Sequence, residues 1–303
     1  MGSSFINLTR GNEIGANSYY LEFDGEGIVL DAGMHPKLDG YAALPDFSKI
    51  DGRKVEAAFV SHAHHDHIGS LPLLMRRHPD ARVFMHGGTR ELAAPLLCNS
   101  VTVMKRQRKE REIEEYPLYV HADVKRATER WEARPLLQKW QSGKRRLFSK
   151  KRSVSFQFHD AGHILGSAAV EIEHGDRRIL YTGDINLADQ TIMKAARLPE
   201  EGVDTLIVET TRGQHPMEHR REVVVENLLQ AIRDTFQQGG AVLIPVFAMG
   251  KTQEALTLLH QARERGDLPR GPIYIGGLSR AFTEVYDRVI HGVRMMEDIR
   301  PEM

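Results

Sequence analysis

With a single cysteine, Cys98, the 303-residue chain cannot close an internal disulfide, and any metal it holds must be bound by imidazole and carboxylate. It also lacks an excess of charge. Its 41 basic residues face 41 acidic ones, so a nucleic-acid partner has to be argued from local patches. No apolar run reaches membrane-spanning length, and Met1 to Gly15 has no apolar stretch of signal-peptide type. These absences predict a cytoplasmic protein with no membrane attachment. Internal repeats and low-complexity tracts are missing as well. What the chain does have is 15 histidines and 41% hydrophobic content, enough to bury one large core or two smaller ones.

The first third reads as short strands joined by tight turns. Ser18 to Phe23 and Gly27 to Leu30 flank Asp24-Gly25-Glu26, a hairpin signal, and the second strand runs into Asp31-Ala32-Gly33. Val55 to Val60 is a buried-strand run, Ser61 to Gly69 breaks the pattern, and Ser70 to Arg77 is helical. Residues 90–150 are predicted mostly helical. Strands return at Val154 to Phe158, Ala168 to Glu173, Arg178 to Tyr181 and Asp204 to Val208. A domain change is expected near Thr211, giving domains of 1–210 and 211–303. Beyond it Glu218 to Gln238, Lys251 to Glu264 and Ser279 to Ile290 read as helices, with Ala241 to Val246 and Pro272 to Ile275 as strands between them.

The chemistry-bearing segment is Ser61-His62-Ala63-His64-His65-Asp66-His67, of the form His-x-His-x-Asp-His. In an extended loop His62 and His64 point one way, while Asp66 and His67 can be aimed at a point a few ångströms off, which suits two adjacent cations. Imidazole with carboxylate fits zinc best, and manganese or iron stay open. The bland alternative is a solvated histidine-rich loop, but such a loop rarely follows a buried strand. Asp160-Ala161-Gly162-His163 and Tyr181-Thr182-Gly183-Asp184 each end a strand and turn at glycine, placing His163 for close approach and Asp184 to bridge two cations.

In order and spacing these motifs resemble the metallo-β-lactamase superfamily, whose fold is an αβ/βα sandwich with metals at one edge. The resemblance implies that His62, His64 and His163 hold one metal, that Asp66 and His67 hold the other, and that Asp184 bridges. Asp31 in Leu30-Asp31-Ala32-Gly33 would support the metal loop rather than ligate. Two cations sharing a water lower its pKa and stabilise charge on the attacked group, and Asp66 could orient that nucleophile.

Leu206 to Thr211, ending at an acidic residue, Glu209, and the strand-glycine-helix segment Ile244 to Glu254 resemble the β-CASP group of this superfamily, typified by mRNA 3′-end processing endonucleases. Lys251 stands where that group usually has arginine. The fold implied is the αβ/βα sandwich followed by the start of an inserted β-CASP domain. Glu209 would orient a general-acid histidine. RNA is favoured over DNA as substrate. Basic stretches at Lys105 to Lys109, Lys144 to Arg146 and Lys150 to Arg152 could meet phosphates, or could equally be solvated helix faces balanced by Glu110 to Glu115. The competing functions are a thioester or lactone hydrolase with the same metals and a catalytically silent RNA-binding scaffold.

The resemblance also implies two further histidines, one a general acid and one a ligand of the second metal, and His215, His219, His260 and His291 do not match their positions. The expectation is therefore an inserted domain cut short, a second zinc site weaker than the first, and a dimer or a partner that completes the sheet. His35, His86, His121, His159 and His174 read as surface or supporting groups, His65 as the variable position of the motif, and Cys98 as a buried apolar residue. Trp131 and Trp140 read as core.

Overall fold

The computed structural model describes residues 3–11, 14–142, 154–211, 213 and 220–289. The chain divides into two compact units, 1–188 with 195–209, and 189–194 with 210–303. The first is built on two sheets. One runs in the order β1 (Ser3–Asn7), β2 (Tyr19–Phe23), β3 (Glu26–Leu30), β4 (Val55–Val60), β5 (Arg82–Met85) and β6 (Trp131–Ala133). Its first three strands are antiparallel, with Asp24 and Gly25 at the β2–β3 turn, and β3 to β6 are parallel. The other sheet contains β7 (Lys139–Gln141), β8 (Ser155–Asp160), β9 (Ala168–His174), β10 (Arg177–Tyr181) and β11 (Thr205–Ile207), in the order β11-β10-β9-β8-β7. Only the β10–β11 pair is parallel.

The period-2 pattern of the strands explains how the sheets stack. Leu21, Phe23, Ile28, Leu30, Ala57, Phe59 and Phe84 on one sheet meet Phe156, Phe158, Ala168, Val170, Ile172 and Ile179 on the other. Phe59 lies 4.7 Å from Phe156, centroid to centroid, in an edge arrangement. The alternate residues Ala58, Val60, Val83 and Met85 are also buried, so the first sheet is covered on both faces. Its helices are α1 (His65–Ile68), α2 (Leu71–Arg77), α3 (Gly87–Glu110) and α4 (His121–Thr128). Several outward positions of the second sheet are polar, among them His159, Glu171 and Arg178. There Glu171 joins His159, 2.7 Å away, to Arg178 at 2.6 Å.

The helical reading of 90–150 holds for residues 90–110 and 121–128, with no helix between them. Beyond the second, Trp131 to Ala133 pairs with the open edge of β5, where Trp131 is buried, and a ladder with core burial outweighs local helical preference. Cys98, on α3, is half-buried rather than fully buried. No described helix is long and apolar enough to cross a membrane.

The second unit holds α5 (Arg221–Gln237), α6 (Lys251–Glu264) and α7 (Leu278–Val289). Leu229 and Ile232 of α5 pack with Leu259 and Ala262 of α6 and with Leu268. The stretches 241–246 and 272–275, expected as strands, carry no ladder among the described residues. With no neighbour to bond, their apolar residues face solvent: Leu243 is 91% exposed and Tyr274 87%. Segment 189–194 belongs to this unit because Glu254, buried on α6, accepts the backbone N–H groups of Thr191 at 2.6 Å and Ile192 at 3.0 Å and pairs with Arg221.

Candidate metal centre

The strand directions bring the site together. β3 and β4 are parallel neighbours, so Asp31 and the loop after Val60 emerge at one edge of the first sheet. β8 and β10 each run antiparallel to β9 between them, so the loops carrying His163 and Asp184 emerge together from the second. The sheets are joined there by Ala168 N–H donating to the Ser61 carbonyl at 2.8 Å. Gly183, at φ +53°, makes the turn before Asp184 and lies so close to Ser61 that a Cβ would sit 2.5 Å from the serine Cβ.

Four donor atoms converge at this edge. One atom each from His62, His64, His163 and Asp184 lie within 4.8 Å of one another. His64 Nδ1 is 3.0 Å from His62 Nε2 and 3.1 Å from His163 Nε2, and Asp184 Oδ2 is 3.7 Å and 3.5 Å from those same two Nε2 atoms. Burial, together with the neighbouring His67, His64 and His163, pushes the His62 imidazole well below its ordinary pKa. An uncharged imidazole with a buried lone pair aimed at a carboxylate and two more imidazoles is the donor set that a borderline divalent cation takes. The residues fit such an ion.

The other oxygen of Asp184 faces a second grouping. Asp184 Oδ1 lies 3.1 Å from His67 Nε2, and Asp66 Oδ2 lies 3.7 Å from that nitrogen. Burial works against the Asp184 carboxylate, but the hydrogen bond and charge of His67 outweigh it and hold the group below the usual range. Burial likewise opposes the His67 imidazolium, yet Asp31, Asp184 and Asp66 more than offset it and raise that group well above 6.5.

Asp31 organises the loop from beneath. Its Oδ1 accepts the Ser61 N–H at 2.7 Å, and its Oδ2 accepts the Ser61 hydroxyl at 2.6 Å, the Tyr181 hydroxyl at 2.6 Å and His67 Nδ1–H at 2.7 Å. With Nδ1 of His67 held by Asp31, and Nδ1 of His62 3.0 Å from the Ser61 hydroxyl, both rings turn Nε2 toward the centre. Gly33 is required by close approach, since a Cβ there would lie 1.6 Å from the Asp66 carbonyl oxygen.

Of the residues singled out from sequence, His62, His64, His163, Asp184, Asp66 and His67 are thus gathered at one place. Glu209 lies on the first unit's final stretch, where its Oε1 accepts the backbone N–H of Ile185 at 2.9 Å, one residue past Asp184. His65 points away, its Nε2 3.0 Å from the Ser100 hydroxyl. His86 caps α3, His159 pairs with Glu171, and His174 stacks on Phe23. Lys105 to Lys109 form the exposed carboxyl end of α3, a position basic residues favour through the helix dipole alone. His260 is exposed on α6, while His215, His219, His291, Lys144 to Arg146 and Lys150 to Arg152 lie outside the described residues. Sequence reasoning missed Tyr181 and Asn17. Tyr181 is 150 residues from the carboxylate it serves, and Asn17, whose Nδ2 lies 3.0 Å from His67 Nε2, sits in no motif.

The arrangement places the chain in a class: it belongs to the metallo-beta-lactamase superfamily, whose family model matches residues 11–245. That superfamily is metal-dependent, in keeping with the donor cluster. Within it, the chain is 33% identical over 93% of its length to cleavage and polyadenylation specificity factor subunit 3-I of Arabidopsis thaliana. It is 35% identical over 94% to cleavage and polyadenylation specificity factor 73 of Drosophila melanogaster, and 32% identical over 97% to endoribonuclease Ysh1 of Schizosaccharomyces pombe. It spans 39%, 40% and 37% of those three proteins. Similarity along nearly the whole chain bears out the resemblance to mRNA 3′-end processing endonucleases and with it the β-CASP grouping.

Proposed function

We propose that the chain is a metal-dependent phosphodiesterase that cleaves RNA at a two-zinc centre, with residues 211–303 contributing to a β-CASP domain. His62, His64 and His163 hold one cation, Asp66 and His67 the other, and Asp184 gives one oxygen to each. The observation that carries this reading is the split of Asp184, Oδ2 toward His62 and His163, Oδ1 toward His67. The names of the relatives favour RNA as the substrate.

When bound, the cations supply hydroxide near neutral pH and offset charge on the attacked phosphate. The protein residues fix the rest. Asp31 and Ser61 lock the imidazole orientations, and Asp66 orients the nucleophile. Glu209 acts as a positioning residue, holding the Ile185 N–H and so the turn that presents Asp184.

The test offers RNA, DNA, a thioester and a lactone to the zinc-loaded protein and to His64→Ala. RNA cleavage by the wild type, at least 100-fold reduced in the variant, is the expected result. Thioester or lactone turnover without RNA cleavage would move the protein to the small-molecule hydrolases, and metal-independent RNA binding without turnover would make it a scaffold. Glu209→Ala removes the acceptor of the Ile185 N–H and should weaken zinc binding and lower kcat together; unchanged zinc affinity with undiminished kcat would contradict the positioning role.

A further inference from the structure

Separate loops carry His64 and His163, and one helix touches both. The buried residues of α3 are mostly apolar, with Leu92, Ala93, Leu97, Val101 and Met104 among them. Thr89 and Ser100 interrupt that run and are buried too. A buried hydroxyl among apolar neighbours needs a partner, because leaving it unbonded costs free energy. Each of these two finds its partner on a metal loop. Thr89 Oγ1 donates to the Gly166 carbonyl at 2.6 Å, across 77 positions of chain, and the Ser100 hydroxyl lies 3.0 Å from His65 Nε2. The interval from residue 89 to residue 100 is about three turns of helix, so the two hydroxyls share a face about 16 Å apart.

The turn that ends at Gly166 delivers His163. Ser167 Oγ accepts the His163 N–H at 3.0 Å and the Ile164 N–H at 3.2 Å, and the Ser167 N–H donates to the Ile164 carbonyl at 2.9 Å, which closes the turn on itself. The closed turn then meets α3 backbone to backbone. Gly166, at φ +78°, comes so near that a Cβ on it would lie 2.2 Å from the Thr89 nitrogen, and one on Gly88 would lie 2.9 Å from the Gly166 Cα. On the other loop, His65 opens α1 between His64 and Asp66. The carbonyls of His65, Asp66 and His67 accept the N–H groups of Met34, Asn17 and Ala32, and Ser100 adds a bond from α3.

Resting on the reading of His62, His64, His163 and Asp184 as a cation site, we propose that Thr89 and Ser100 are positioning residues, through which α3 sets the spacing at which His163 and His64 meet one ion. Neither belongs to the donor cluster. Without the Thr89 hydroxyl the His163 turn shifts on α3, and without the Ser100 hydroxyl α1 shifts.

Zn2+ titration of the metal-free chain and the visible absorption of its Co2+-loaded form test this, beside chemical unfolding, for Thr89→Val, Thr89→Ser, Ser100→Ala and His64→Ala. Valine keeps the shape of threonine without the hydroxyl, and serine keeps the hydroxyl. Thr89→Val should weaken about 10-fold the site that His64→Ala abolishes, and should alter the Co2+ absorption, which reports ligand geometry. Thr89→Ser should restore the wild-type absorption and bring the affinity back to within about 2-fold. Ser100→Ala should weaken the same site about 10-fold, which keeps the test open where Thr89→Val folds poorly. Variants that unfold more easily yet bind zinc and absorb as the wild type does would overturn the positioning role, leaving the hydroxyls as hydrogen bonds of the core. Thr89→Ser remaining as weak as Thr89→Val would overturn it as well. Undiminished zinc binding in His64→Ala would overturn the cation-site reading and the positioning role with it.

Discussion

At Asp31 one carboxylate takes four hydrogen bonds, from Ser61 twice, Tyr181 and His67, without itself joining the donor cluster. Asp31→Asn keeps the volume but sets an N–H group against donors. We expect it to weaken zinc binding 10- to 100-fold, read by titration. Tyr181→Phe removes one hydrogen bond to a buried charge and should cost about 1.5–3 kcal/mol in denaturant unfolding. The candidate donors His62, His64, Asp66 and His67 were legible, because nearby residues of one short motif point to a metal loop. Tyr181 was not, because its value arises when β10 lies across from Asp31, and pairing between sheets leaves no local signature.

Among the elements, α3 begins with a titratable cap. His86 accepts the Gly88 N–H at 3.2 Å through Nδ1, and burial pushes its pKa down to about 4. An unfolded chain holds that proton from about pH 6.5 downward, whereas the fold refuses it until about pH 4. Stability contributed here is therefore complete above pH 6.5, is lost as pH falls from 6.5 to about 4, and changes no further below that. Asparagine caps a helix without titrating, so between pH 7 and pH 5 the wild type should lose about 2 kcal/mol more than His86→Asn in chemical unfolding. Equal losses would place the proton elsewhere. Strands β2 to β4 and β8 to β10 were readable from period-2 alternation and turn residues. The short β6 and β7 were not. Three residues carry too little periodicity, and only the open edges of β5 and β8 make them strands.

In the whole molecule, the first unit's two sheets and its metal edge follow from patterns visible in sequence, while the second unit departs from them. Ala241 to Val246 and Pro272 to Ile275 have strand-like composition, yet Leu243, Phe247 and Tyr274 are 91%, 80% and 87% exposed. A strand is a property of a pair, and apolar composition alone cannot state where the partner is. Exposed apolar surface of this kind favours association. Light scattering should show assembly rising with protein concentration, and Leu243→Lys with Tyr274→Lys should reduce it. Metal analysis of the intact chain bears most directly on the centre itself. After zinc loading and desalting, the wild type should retain two ions, and Asp184→Ala, which removes an oxygen from each half-site, should lose both along with RNA cleavage. Full metal content with undiminished cleavage in Asp184→Ala would contradict the account.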